Sequence, residues 1–102
     1  MLIVFTTAPS MEEARKLARL AVDRKLAACV QIVPAIESVY EWKGKIEAEN
    51  ESLMLFKTKD SRYGELEAFL EKEHSYETPE IVAVRSERIS AGYAKWLNDI
   101  VK

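Results

Sequence analysis

The first third of the chain changes from one hydrophobic periodicity to another. Leu2–Thr7 is a short β-rich apolar run, and Ala8-Pro9 ends it. Beyond it, apolar positions recur at helical spacing and charged residues occupy the other side, which predicts an amphipathic helix over Met11–Leu26. Ser10, followed three residues later by Glu13, has the form of a capping box at the start of this helix.

The middle of the chain predicts a long hairpin. Ala28–Trp42 is rich in β-formers, Gly44 marks a turn, and Ile46–Lys59 returns as a third strand. Pro34 cannot donate to a ladder, which predicts an edge, a bulge or a bend there. A strand of this length spans about 50 Å, whereas a compact domain of this size has a diameter of roughly 33 Å. We therefore expect the hairpin to bend, break or project beyond its own domain.

The last third of the chain predicts two more helices and one more strand. Asp60 or Ser61 caps a second helix, Thr78-Pro79 forbids its continuation, Ile81–Val84 is a fourth strand, and Ser90 opens a short C-terminal helix. The order βαββαβ with right-handed crossovers predicts an α+β fold, a ferredoxin-like antiparallel sheet with an extra C-terminal helix and a long β2-β3 hairpin. At 102 residues the chain forms a single domain over 1–102.

Three predicted strands have continuous apolar cores rather than alternating ones: Ile3–Phe5, Leu53–Phe56 and Ile81–Val84. Continuous runs are typical of strands that are covered on both faces. The two main helices cover one face, so an identical sheet from another subunit is the favoured cover for the other. The alternative is a monomer in which the C-terminal helix, with Tyr93 and Trp96, covers that face.

Composition and charge narrow the class of partner. The chain has 48% hydrophobic and 31% charged residues, with 15 Lys and Arg against 17 Asp and Glu, for a net charge of -2. This balance is typical of a folded, water-soluble protein and argues against binding to nucleic acid or to an anionic membrane surface. The longest apolar stretches are only a few residues long, which argues against membrane insertion. The N-terminal segment Met1–Phe5 has no basic region of a signal peptide, and the one cysteine, Cys29, favours a reducing compartment. We therefore expect a cytoplasmic protein.

Metal ligation has two soft or borderline candidates, His74 and Cys29. A closed zinc or copper site needs three or four ligands, so an oligomer would have to pool copies or recruit nearby glutamates. The plainer interpretation of His74 is an imidazole at a helix C-terminus. The plainer interpretation of Cys29 is a small buried hydrophobe at the start of a strand, and the functional one is a thiol that lines a cleft.

Other side chains suggest contacts between subunits. Tyr40, Trp42 and Trp96 are candidate interface aromatics. Lys57 follows the apolar core of the third strand, where a cation needs a carboxylate or a bound anion. Glu47, Glu49 and Glu51 alternate along one face, as a solvated acidic row or a weak surface for hard cations. No catalytic triad, Walker motif or dinucleotide loop is present, so we do not expect an enzyme.

Several segments together resemble one family in their order and spacing. They are Phe5–Pro9, Lys25–Val30, Ser38–Lys45, Leu55–Thr58, His74–Glu80 and Tyr93–Leu97. Over essentially the whole chain the sequence resembles the CutA divalent-cation-tolerance family. The resemblance implies a ferredoxin-like subunit, a homotrimer with strands exchanged across subunit borders, cytoplasmic residence in bacteria, no established enzymatic reaction, and copper or other divalent-cation binding in some members.

The chain departs from the copper-binding members of that family at two places. Thr6 stands where those members have a cysteine, and Glu73-His74 stands where they have paired histidines. Of that ligand set only His74 is present, as the candidate metal ligand.

Three other functions remain open at this stage. A trimeric PII-like small-molecule sensor would use clefts between subunits near Cys29, Trp42, Lys57 and Tyr76. An acylphosphatase-type hydrolase shares the element order, but it requires an arginine that Thr6–Pro9 does not supply. A structural module that assembles with an unidentified protein partner fits the same sequence.

Overall fold

The computed structural model describes all 102 residues and places strands and helices in the predicted order. The elements are β1 (Leu2–Ala8), α1 (Met11–Asp23), β2 (Cys29–Trp42), β3 (Lys45–Thr58), α2 (Asp60–Glu73), β4 (Val82–Arg85) and α3 (Ala91–Ile100). They form one four-stranded sheet in the order β2-β3-β1-β4, and every neighbouring pair is antiparallel. The predicted ferredoxin-like βαββαβ fold with a C-terminal helix is therefore confirmed.

Helix α1 shows how local sequence sets an element's limits. Its Ser10 hydroxyl accepts a hydrogen bond from the Glu13 N–H at 3.2 Å, as the capping box predicts. The prediction that the helix reaches Leu26 was wrong, because Lys25 turns into the left-handed region at φ 60°. The Leu26 N–H then bonds to the Ala21 carbonyl at 2.9 Å, as a Schellman motif that closes the helix early.

The core lies between the two main helices and one face of the sheet. Alternate residues of β1 and β3 point into it, and α1 and α2 supply the opposite layer. The side chains with no exposed surface that form it are Val4, Ala8, Ala14, Leu17, Ala21, Ala27, Met54, Phe56, Leu66 and Leu70. This packing uses only one of the two faces of each strand.

The hairpin of β2 and β3 contains a bulge that changes which side chains share a face. Val33 lies opposite Leu53 but Ile36 lies opposite Glu51, so Pro34 and Ala35 together oppose one residue of β3. Side chains change face at every position of a strand. Beyond the extra residue, the even-numbered side chains of β2 therefore lie on the face that its odd-numbered side chains occupy before it. The hairpin also projects, since the molecule measures 45 × 26 × 22 Å. A bulge was one of the three possibilities predicted for Pro34, and projection was one of those predicted for the hairpin.

The sheet surface opposite α1 and α2, here called the open face, is only partly covered. Helix α3 lies over one end of it, where the Tyr93 ring centroid is 5.9 Å from Lys57 Nζ. Elsewhere the apolar side chains of β4 remain exposed, 51% for Val82 and 44% for Val84. The monomeric alternative required α3 to cover the whole open face, and α3 does not do so. None of the helices is both long enough and apolar enough to cross a membrane.

Candidate functional site

A cleft of about 780 Å³ lies on the open face between the hairpin and the segment after α2. Its lining residues are Thr7, Tyr40, Trp42, Glu47, Glu49, Glu51, Tyr76, Glu77, Thr78 and Glu80. Five of these are glutamates, three are aromatic, and none is Lys or Arg. We call this feature the acidic cleft. Its volume is within the range of small-molecule sites.

The bulge in β2 is what brings the aromatic side chains into the acidic cleft. Tyr40 pairs with Glu47 and Trp42 pairs with Lys45, so both aromatics share the face of the odd-numbered residues of β3. Without the extra residue at Pro34 and Ala35, the same side chains would lie on the helix side of the sheet. Trp42 remains 60% exposed at the rim.

Glu51 is the buried carboxylate of the cleft, with 9% of its surface exposed. Its Oε2 accepts a hydrogen bond from the Tyr76 hydroxyl at 2.8 Å. Burial acts to raise the pKa of Glu51, but hydrogen bonds from Ser38, Tyr76 and Thr7 outweigh burial and lower the pKa. The group is therefore ionised at neutral pH. It makes no ion pair with any Lys, Arg or His of the chain.

The two tyrosines of the cleft stay neutral donors to carboxylates. Burial, and then the hydrogen bond to Glu51, raise the pKa of Tyr76 far above its ordinary value. A hydrogen bond to Glu49 is the largest cause that raises the pKa of Tyr40. Ionising either phenol would place two negative charges in contact, so both hydroxyls are held as hydrogen-bond donors.

His74 holds the Tyr76 segment in place. The side chain is fully buried at the end of α2, and its Nδ1 accepts from the Tyr76 N–H at 3.0 Å. This acceptor role assigns the proton to Nε2, which donates to the Thr7 carbonyl at 2.7 Å. The hydrogen bonds leave no lone pair on the ring for a metal. The arrangement within one chain thus supports His74 as a positioning residue rather than as the predicted ligand.

Glu13 adds a second contact to this segment. Its Oε2 accepts from the Ser75 N–H at 3.1 Å and lies 3.4 Å from His74 Nδ1. The His74 and Tyr76 rings are also in tilted contact, 4.7 Å between centroids. Helix α1 is therefore hydrogen-bonded to the segment that forms the wall of the cleft.

Cys29 and Lys57 lie at the other end of the sheet from the acidic cleft. They are direct register partners of β2 and β3, whereas Trp42 lies at the far end of the same two strands. Cys29 is half-buried. Burial is the largest cause that raises the pKa of Tyr93, and the neighbouring Cys29 is the next. Within one chain the four predicted cleft residues thus form two groups, Trp42 with Tyr76 and Cys29 with Lys57.

Sequence reasoning missed the unequal environments within the acidic row. Glu49 is exposed, Glu47 is half-buried and Glu51 is buried, so the row is not uniformly solvated. Position along the strand could have predicted this difference, because Glu51 lies next to the apolar core of β3 and the other two glutamates lie nearer the turn. No three His, Cys, Asp or Glu side chains lie close enough within the chain to hold a metal ion. One chain alone therefore does not fit a closed metal site.

The structure defines a ferredoxin-like domain with an acidic cleft, and comparisons with known proteins place it in a family. The model of the CutA1 divalent ion tolerance protein family matches residues 2–100. The chain is 40% identical over 99 residues to the divalent-cation tolerance protein CutA of Archaeoglobus fulgidus, covering 97% of this chain and 96% of that one. This protein belongs to the CutA divalent-cation-tolerance family.

Two further matches show how far the likeness extends. The solved structure of the divalent cation tolerance protein from Thermus thermophilus superimposes with a TM-score of 0.95 at 37% identity, covering 100% of both chains. The chloroplastic protein CutA of Arabidopsis thaliana is 42% identical over 98 residues, which is 96% of this chain and 54% of that protein. The chain thus spans about half the length of several eukaryotic relatives it matches.

Proposed function

We propose that the protein acts in tolerance of divalent cations as a homotrimer that binds the cation between subunits. Membership of the CutA family supports the role in divalent-cation tolerance. The observation that carries the assembly is the uncovered open face, on which Val82, Val84 and Trp42 are about half exposed or more. Exposed apolar surface of this kind is typical of interfaces. The number of copies follows from the family resemblance.

The cation-binding part of the proposal follows from the count of ligands. One chain groups fewer than three suitable side chains, and a closed homo-oligomer supplies the remainder from a second copy. Glu47 and Glu49 line the cleft without ion-pair partners. The Tyr40 hydroxyl hydrogen-bonds to Glu49, and a carboxylate has a second oxygen that can coordinate a cation. His74 is not included because both of its ring nitrogens are hydrogen-bonded.

Equilibrium dialysis with Cu(II) tests this site, since copper binds a given set of ligands more tightly than the other first-row divalent cations. The variant combines Glu47→Gln and Glu49→Gln. The control combines Glu12→Gln and Glu71→Gln, which remove the same charge from exposed helix positions. We expect at least tenfold weaker binding for the cleft variant and wild-type binding for the control. Equal binding by all three proteins would refute the carboxylate site.

Light scattering at micromolar concentration tests the predicted interface aromatics. Replacing Tyr40 and Trp42 together by Ala is expected to weaken assembly, because both side chains are exposed on the hairpin. Val22→Ala is the control, since Val22 is exposed on α1, away from the open face. An unchanged mass for the aromatic double variant would mean that the sheet faces, and not the hairpin, hold the copies together. Trp96→Ala tests the third predicted interface aromatic in the same way.

The acidic cleft also favours a second candidate function, a sensor of small molecules. Three aromatic side chains and a volume of about 780 Å³ are features of ligand sites. A thermal-shift screen tests it, because a ligand at 100 times its dissociation constant adds roughly 2.7 kcal/mol of stability. A screen that finds no stabilising compound would remove this candidate.

We also propose that the protein resides in the cytoplasm. The support is its single cysteine, which leaves no disulfide to form within the chain. The Arabidopsis relative is described as chloroplastic, so location varies within the family. Fractionation of the source cells tests the proposal, and recovery from any other compartment would contradict it.

A further inference from the structure

We propose that Lys57 of a second copy enters the acidic cleft and supplies the counter-charge of Glu51. The inference rests on the homo-oligomer proposed above and specifies a contact that builds it. The charges on the open face are not balanced. A carboxylate is buried there without a cation, and elsewhere on the same face a cation is half-buried without a carboxylate.

The carboxylate is Glu51, which is 9% exposed. Hydrogen bonds satisfy part of its polar demand, notably the one from Tyr76. They do not neutralise its charge, and four further glutamates line the same cleft without a basic residue among them. Five carboxylates therefore converge on one cleft with no positive charge among them, and the field of such a cleft attracts a cation.

The cation is Lys57. Most basic side chains of the chain are exposed, and only Lys57, Lys59 and Arg62 are half-buried. Arg62 is paired with Glu65 at 2.9 Å, and Lys59 lies beyond the end of β3. Lys57 alone lies within the sheet, between its register partners on β1 and β2. Its Nζ lies 5.9 Å from the Tyr93 ring centroid and forms no ion pair within the chain, so the ammonium group has no anion.

The two charges cannot meet within one chain. Both lie on β3 and on the same face, and the rise between them is about 20 Å. An ion pair requires contact within about 4 Å. Between them on that face lie Leu53 and Leu55, which are half-buried and apolar. The open face of β3 therefore presents an acidic end, an apolar centre and a basic end.

This order of charges fits a second copy of the same chain. When the basic end of one open face meets the acidic end of the next, both charges are paired and apolar surface is covered between them. The contact joins two different surfaces, the basic end of one copy and the acidic end of the next, so it is heterologous. Such contacts form a closed ring when the rotation from each copy to the next adds up to a full turn. In the proposed trimer each copy gives one Lys57 and receives one, and the cleft is incomplete without its neighbour.

Charge reversal measured by sedimentation equilibrium tests the pair. Lys57→Glu and Glu51→Lys are each expected to raise the dissociation constant of assembly by about thirtyfold or more, since breaking a buried interfacial pair costs about 2 kcal/mol at least. The variant with both changes is expected to return to within about tenfold of wild type. Lys59→Glu makes the same charge change just beyond the strand and is expected to assemble as wild type does.

Milder variants guard against loss of the fold. Glu51→Gln and Lys57→Met remove the charges but retain most of each side chain, and circular dichroism checks that both variants are folded. If the pair exists, the double variant is no weaker than the weaker single one, because the first change already removes the interaction. Additive effects, or wild-type assembly of Lys57→Glu, would overturn the pair while leaving the trimer intact. A wild-type protein that is monomeric would instead refute the proposed assembly itself.

Discussion

Tyr76→Phe is the perturbation that isolates the hydrogen bond at the centre of the acidic cleft. It removes one hydroxyl, whose oxygen lies 2.8 Å from Glu51 Oε2, and it keeps the ring that contacts His74. The variant therefore leaves a buried, ionised carboxylate with one donor fewer.

The expected cost follows from the charge and burial of the acceptor. Hydrogen bonds to charged groups contribute about 1.5–3 kcal/mol to stability, and Glu51 is 9% exposed. Tyr63→Phe is the matched control, because its hydroxyl also donates to a carboxylate, that of Glu67 at 2.9 Å, four residues away on the same helix. Glu67 is half-buried, whereas Glu51 is buried, and side-chain pairs at this helical spacing contribute about 0.2–0.5 kcal/mol.

Urea unfolding at a fixed chain concentration measures both variants. The pH dependence adds a second test. The pKa of Glu51 is lowered in the folded state from the ordinary 4.5, so its stabilisation is fully present above that value and is lost as the pH falls through the folded-state pKa. The deficit of Tyr76→Phe is therefore expected to be full at pH 7 and to shrink below about pH 4.5. Equal, small deficits for the two variants at pH 7 would refute this account of the cleft.

Three further substitutions test other parts of the structure. Lys25→Gly is expected to stabilise the fold by about 1 kcal/mol relative to Lys25→Ala in thermal unfolding, because φ 60° strains any residue with a Cβ; equal stability would contradict the left-handed turn. Thr58→Val is expected to cost about 1–3 kcal/mol in urea, since its hydroxyl donates at 2.7 Å to the buried Leu26 carbonyl; no loss would contradict that bond. Phe56→Ala, at a fully buried position, is expected to cost about 3–5 kcal/mol, and a loss near zero would misplace the core.

Periodicity was enough to predict the element order because each strand and helix carries its own local signal. The helix stripe after Ser10 is such a signal, and α1 begins at Met11. Thr78-Pro79 lies in the segment between the end of α2 at Glu73 and the start of β4 at Val82. The end of α1 was missed because Lys25 is not a residue type that favours a left-handed turn. That conformation is set by Leu26 packing into the core.

The bulge was foreseen at Pro34, but its consequence was not. A proline indicates irregular pairing, whereas the face that Tyr40 and Trp42 occupy depends on how many residues the irregularity contains. Strand alternation counted without the extra residue would place both aromatics on the helix side. The composition of the acidic cleft thus depends on a single inserted residue.

The inner contacts of the candidate site are long-range and carry no local signal. Tyr76 and Glu51 are 25 residues apart in sequence, and His74 reaches Thr7 across a separation of 67 residues. Only the folded topology brings them together. Several of these side chains lie in the segments that resemble CutA proteins. The resemblance did not indicate that both ring nitrogens of His74 would form hydrogen bonds within the chain.

The molar mass in solution shows whether copies of the chain cover the open face of this CutA-family protein. Sedimentation equilibrium of the wild-type protein at micromolar concentration measures it directly. We expect a single species of about three times the 11.7 kDa of the chain. A species of 11.7 kDa at every concentration would contradict it, because the exposed valines of β4 and the unpaired Glu51 would then remain uncovered in the working protein.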